Sequence, residues 1–287
     1  MMTCSAPKSV SVLWALGDDH TRGEVLAAHD AAVEAMVGWV ERHAHTRYRI
    51  GGEVAVVDAE GVIAALFRQH ISRALDPQLH THVVIANRVV SPDGRWLALD
   101  ARTIKYDQRT LSALYHAGLR AELTDRLGVR WHQPERGIAE LADIGEVVRV
   151  EFSQRTGQVE RRIADKLDRF TDTMEREPTV RERWRLEREA VTDSRPAKPH
   201  GVNATGLHAG WAEQVHTLGL DPSHLVATTV HTIAPSALPR RVNALVEQWA
   251  SGRSPSSSRR GDRPRSSARS PPRCRGRDHR SLPGLDH

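Results

Sequence analysis

Cysteine is nearly absent from this 287-residue sequence: Cys4 and Cys274 sit near opposite ends, a poor basis for a disulfide. A reducing compartment is the natural reading of that scarcity. Long hydrophobic runs are missing too, and no stretch approaches the roughly 18–20 apolar residues that span a bilayer. A basic-then-apolar leader is also lacking, so secretion has no support and a cytoplasmic protein is expected. What remains is ordinary for a globular chain, with 39 % hydrophobic and 27 % charged residues. The length suffices for one large domain or two small ones with a proper core.

An excess of positive charge is lacking where it would matter most. The pI near 9.7 suggests a nucleic-acid partner. Residues 251–287, however, hold ten arginines, no lysine and three aspartates, a net of +7. The chain as a whole is +5, so residues 1–250 carry −2. The basicity belongs to the tail. That tail, "SGRSPSSSRRGDRPRSSARSPPRCRGRDHRSLPGLDH", has almost no apolar residues and cannot form a core. Two readings stay open: a disordered basic arm that binds nucleic acid, or GC-rich DNA translated in a shifted frame. The composition favours the second.

Periodicity sketches the rest. Ser5 can cap a helix that has Pro7 in its first turn and an apolar stripe of Val10, Leu13 and Trp14. A long amphipathic helix is expected over 22–44, with Val25, Leu26, His29, Ala32, Val33 and Met36 on one face. From Gly61 the pattern becomes strands: "GVIAALFRQHIS", "LHTHVVIANRVV", a Ser91-Pro92-Asp93-Gly94 turn, then "RWLALD". Helices are expected at 108–127 (ending at Gly128), 145–153, 157–176 and 206–218, with a short strand near 137–141. Residues 178–200, charged and Pro-interrupted, read as a hinge or exposed segment.

The stretch "FRQHISRALDPQLHTHVVIAN" (67–87) holds the chemistry. Residues i and i+2 of a strand share a face, so His80 and His82 present two imidazoles side by side. Val84 and Ala86 continue that face; Thr81, Val83 and Ile85 point the other way. A third ligand would complete a divalent-metal site with open positions, and His70 is the nearest candidate. Asp76-Pro77 marks a bend between the two strands. Two strand histidines with no metal remain the plainer alternative.

These residues carry a resemblance. "SAPKSVSVLWAL", "SRALDPQLHTHVVIANRV" and "LYHAGLRAELTDRLGVRW" resemble, in order and spacing, the MobF (TrwC/TraI-type) conjugative relaxases of the HUH endonuclease superfamily. The similarity runs from about residue 3 to about 225. It implies an α+β fold of two layers, an antiparallel β-sheet with helices packed on it, and an active site on the sheet. It implies a reaction as well: a tyrosine attacks one DNA strand at the nic site of an origin of transfer and stays attached to the 5′ end. A divalent metal ion (Mg2+, Mn2+ or Zn2+) held by His80, His82 and His70 would neutralise and orient the scissile phosphate. Arg73 matches a family arginine suited to bidentate phosphate contact, and Lys8 a family lysine near a helix start. The implied partners are single-stranded or hairpin DNA and other conjugation proteins.

The sequence departs from the family pattern in three places. The nucleophilic tyrosines lie upstream of anything present here, and Tyr48, Tyr106 and Tyr115 are unpaired; Tyr48 and Tyr115 read as packing residues. The acidic residue that normally precedes the "SAPKS" segment falls on Met1. The family's F-R-H-x-[ST]-S-R places a histidine where Gln69 stands, with His70 one residue late. A regular strand turns His70 to the opposite face; a bulge could bring it back, Gln69 could lend an oxygen, or the site keeps only two histidines. A weakened site is the expectation. No G-x-x-x-x-G-K-[ST] loop of a helicase occurs.

The expected organisation is a relaxase-like domain lacking the N-terminal tyrosine segment (1–225), a helical remnant or linker (226–250) and a disordered tail (251–287). The expected function is that of a relaxase fragment, truncated at its N-terminus, that does not cut DNA alone. A non-catalytic DNA-binding protein is the alternative. An unrelated metallohydrolase using His80, His82 and Asp76 ranks last, because Asp76 before Pro77 suits a turn better.

Overall fold

A computed structural model describes residues 1–194 and 203–231. The start of the chain is a short strand, β1 (Met2–Ser5), followed by helix α1 (Lys8–Leu16) and the long α2 (Asp19–Arg42). Two strands form a hairpin, β2 (His45–Ile50) and β3 (Glu53–Asp58). Then come β4 (Ala64–Ile71), β5 (Pro77–Ile85), β6 (Val89–Val90) and β7 (Trp96–Leu97). The remainder is helical: α3 (Ala101–Tyr106), α4 (Gln108–Leu127), α5 (Glu146–Glu151), α6 (Gln154–Met174), α7 (Val180–Asp193), α8 (Ala204–Thr217) and α9 (Pro222–Thr229).

The principal sheet has the order β1-β5-β4, antiparallel throughout. Strand β5 is its centre, and it alternates as a half-covered strand must. Leu79, Thr81 and Val83 are buried against the helices, while His80, His82 and Val84 face away. The covering layer is α1 with α2 and α4, whose stripes of Val25, Ala28, Ala32, Val33 and Met36 and of Leu111, Tyr115, Leu119, Leu123 and Leu127 form one core. Gly128, at φ 61°, ends α4 in the left-handed conformation that favours glycine. The β2–β3 hairpin is joined to the chain after β7 through a Thr46–Leu99 bridge, over a small core of Ala44, Val89 and Leu99. The α+β, two-layer architecture expected from the sequence is the one observed.

The beginning of α1 differs from the sequence expectation. Ser5 ends β1 instead of capping the helix, and Pro7 takes the N-cap position, where it has no side-chain acceptor to offer. A distant carboxylate fills the gap: Glu140 accepts from the amides of Lys8 (3.3 Å) and Ser9 (2.8 Å). Two buried serines complete the join. Ser9 Oγ accepts from the Leu141 amide (2.8 Å) and Ser11 Oγ from that of Leu79 (3.0 Å). Glu140→Ala should therefore lower stability by about 1–2 kcal/mol, read from the urea midpoint, although Glu140 lies outside the helix it caps. An unchanged midpoint would show that water serves those amides equally well.

Four further elements differ from expectation. Residues 180–193, within the segment read as a hinge or exposed, form a helix that is largely exposed, begun by a capping box in which Thr179 and Glu182 satisfy each other's backbone; residues 195–200 of that segment lie outside the described residues. Isolated bridges, Trp131–Leu141 and Glu135–Ile138, stand in place of the strand near 137–141. The β2–β3 hairpin and α9 were not anticipated. The tail at 251–287 and most of the segment 226–250 lie outside the described residues.

Candidate metal and nucleic-acid site on the open sheet face

The antiparallel register decides which side chains share the open face. His80 stands opposite Ser5 on β1 and Gln69 on β4; His82 stands opposite Thr3 and Phe67. Paired residues point to the same side, so the two histidines are framed by Ser5, Thr3, Gln69 and Phe67. The imidazole centroids lie 5.0 Å apart with the rings nearly perpendicular.

Hydrogen bonding sets the tautomer of His80. Its Nδ1 lies 2.8 Å from the Gln78 carbonyl, which can only accept, so Nδ1 carries the proton and Nε2 keeps its lone pair. Burial, followed by the neighbouring His82, lowers the His80 pKa, against an opposing pull from the Gln78 carbonyl. A neutral imidazole is thus favoured, the form that ligates metal. His82 Nδ1 meets Thr3 Oγ1 at 3.0 Å. These two rings fit a divalent cation.

His70 is not brought to that face. Between the pairs Gln69–His80 and Ile71–Pro77 the register shifts, with two steps on β4 matched by three on β5. The extra residue belongs to β5, so β4 keeps its alternation and His70 turns toward the helices. Its ring stacks on Trp14 of α1, with centroids 4.7 Å apart and planes 14° from parallel. Its Nε2 is buried without a hydrogen-bond partner among the described residues. Burial first, then Arg68, lowers its pKa. Among the described residues no three His, Cys, Asp or Glu side chains gather to hold a metal. The residue that faces His80 from β4 is Gln69.

The β4–β5 turn is built around Asp76 and Ser72. Ser72 Oγ accepts from the amides of Ala74 (3.1 Å) and Asp76 (3.2 Å) and lies 3.2 Å from the Asp76 carboxylate, to which it donates. Asp76 Oδ2 also accepts from the Arg155 amide at 3.3 Å. Burial raises the Asp76 pKa, against the pull of these bonds and of Lys8. A carboxylate so engaged serves the turn, the role that its place before Pro77 suggests. Leu75, at φ 65°, completes the turn, and its carbonyl accepts from Trp211 Nε1 of α8 at 3.0 Å. Arg73 lies in this turn, half-buried. Lys8, also half-buried, donates to the Pro77 carbonyl at 2.8 Å, clamping the start of β5 to α1.

The sequence reading missed His29 as more than a member of an apolar stripe. It is fully buried behind β5, with Nδ1 2.8 Å from the Tyr115 hydroxyl and Nε2 2.8 Å from Thr81 Oγ1. Tyr115 is therefore on the helix side of the strand, away from the His80–His82 face, and burial pushes its phenol upward in pKa. Tyr106 is 86 % exposed at the end of α3, and Tyr48 lies on the β2–β3 hairpin under the Arg95 guanidinium.

Comparison with known proteins places this geometry in a family. A TrwC relaxase family profile matches residues 1–218. One relative, the multifunctional conjugation protein TraI of Escherichia coli, is 43 % identical over 100 residues, 35 % of this chain and 6 % of TraI. The match thus spans a small part of that longer protein. A structure of the conjugative relaxase TrwC with oriT DNA and bound copper superposes with a TM-score of 0.64 at 32 % identity, covering 77 % of this chain and 70 % of that one. TrwC complexed with a 27-mer DNA comprising the recognition hairpin and the cleavage site is likewise similar, at 31 % identity and a TM-score of 0.64 over 77 % of this chain and 74 % of the other. No helix among the described residues is long and apolar enough to cross a membrane. With its antiparallel sheet, paired strand histidines and matching profile, the chain belongs to the TrwC relaxase family, the TrwC/TraI type of MobF relaxases.

Proposed function

We propose that this chain holds a divalent metal on His80 and His82, binds the backbone of single-stranded or hairpin DNA there, and does not cut it. The observation that carries the reading is the division of β5 into two faces. Its open face bears two imidazoles with centroids 5.0 Å apart, and the buried Tyr115 is bonded to His29 on the other. A bound cation would supply charge neutralisation and orientation of a phosphate. His80 and His82 provide lone pairs, and Gln69 offers an amide oxygen in place of a third imidazole. Arg73, in the turn that leads into β5, contributes a guanidinium to phosphate. Lys8 acts chiefly through its bond to Pro77. A strand-cutting relaxase needs a nucleophilic hydroxyl at the metal; Tyr115 is buried on the helix side of β5, Tyr48 lies under Arg95 on the β2–β3 hairpin, and Tyr106 ends α3 in solvent.

The test is incubation of the 287-residue chain with an origin-of-transfer oligonucleotide and Mn2+ or Mg2+. The expected result is salt-dependent binding without cleavage products. A covalent 5′-phosphotyrosyl adduct would overturn the non-cutting reading. Absence of any DNA binding would overturn the binding one.

A further inference from the structure

We propose that Phe67 is a stacking platform for one nucleobase of the DNA strand held at the histidine pair. The inference rests on the metal-and-DNA reading above. Phe67 stands directly opposite His82 in the β4–β5 register, so its ring is on the open face beside that imidazole. The next pair along the same face is Ala65 with Val84, one small and one aliphatic.

Exposure sets this phenylalanine apart. The chain has three, and the other two are core residues: Phe152 is 0 % and Phe170 9 % exposed, whereas Phe67 is 55 % exposed. Val84 beside it is 40 % exposed, so the patch is continuous and apolar. Forgoing the burial of an aromatic side chain costs the fold stabilisation it could have had.

The neighbouring chemistry selects the occupant. A ligand anchored by its phosphate at His80 and His82 meets Phe67 about one strand spacing away, roughly 5 Å between paired Cα atoms. A base and its own phosphate are separated by a single sugar, which matches that reach. Every base has a flat π-face, so such a platform takes single-stranded DNA with little sequence preference. A duplex keeps its bases stacked on one another and cannot use it.

The experiment uses the full chain with Mn2+ and two labelled strands of about 16 nucleotides, oligothymidine and a base-free strand of the same length. Wild type should bind oligothymidine about tenfold more tightly than the base-free strand. Phe67→Leu keeps an apolar side chain on an exposed position, so folding is retained. It should bring oligothymidine down to the base-free level and leave the base-free affinity unchanged. Phe67→Trp should restore the preference. If Phe67→Leu binds oligothymidine as wild type does, the platform is rejected. It is rejected too if the substitution alters only the oligomeric state, which would make Phe67 a protein contact. If wild type binds neither strand, the parent reading fails and takes the platform with it; binding of both strands equally rejects the platform alone.

Discussion

His29→Ala should destabilise the fold by about 4 kcal/mol, seen as a fall in the urea midpoint with little change in slope. The imidazole is 0 % exposed and bridges two layers, α2 to β5 through Thr81 and α2 to α4 through Tyr115. Its loss strands two buried hydroxyls and leaves a cavity. Tyr115→Phe removes one partner only and should cost about 1–2 kcal/mol. The same imidazole makes the fold acid-sensitive. Burial lowers its pKa from 6.5 to about 4. Between those values the unfolded chain takes up a proton that the folded one refuses, so stability is full above pH 6.5 and falls as pH drops toward 4. Across that window the loss amounts to about 3 kcal/mol. His70, His80 and His116 are shifted downward as well and add to the same slope. His29→Ala should flatten the pH dependence while lowering stability at neutral pH. A wild-type midpoint that does not move between pH 7 and pH 5 would contradict this account.

That residue also shows what a single sequence discloses and what it hides. The period of 3.6 placed His29 on the buried face of α2, but its partners are 52 and 86 residues away and leave no local trace. The strand period of two was enough to put His80 and His82 on one face, because β5 pairs regularly from His80 to Ile85 and is flanked on both sides from His80 to Val83. Gly128 marked the end of α4 for the local reason that glycine accepts a positive φ. Helix α7 went unseen because its face is mostly charged and its contacts are with α6, although the Thr179–Glu182 box was there to be read. Glu140, capping a helix more than 130 residues earlier, had no signal at all. The placement of His70 was the harder case. Sequence could say that a bulge was needed, not which strand would carry it. The turn held by Ser72, Asp76 and Trp211, with Lys8 and Ser11 fixing the start of β5, puts the extra residue on β5.

Metal affinity converts that placement into a measurement. Titration of the chain with Mn2+, followed calorimetrically, should lose on the order of a hundredfold in affinity for His80→Ala or His82→Ala, and all binding for the pair. Removing an imidazole takes away a nitrogen ligand that water replaces without the strand's orientation. His70→Gln should leave the affinity within about twofold, because that ring lies against Trp14 on the helix side of β4. Gln69→His is the decisive substitution. Gln69 faces His80 across the strands, so an imidazole there completes a three-histidine face and should tighten binding tenfold or more. The rival arrangement, with His70 as the third ligand, predicts the reverse: His70→Gln would weaken binding as strongly as His80→Ala, and Gln69→His would change little. Stability gives a separate check, since His70→Gln removes a stacked partner of Trp14 and should shift the urea midpoint modestly even where metal affinity is untouched. On the proposed reading, the metal site is weakened because Gln69 occupies the position facing His80 while the nearby histidine stacks on Trp14.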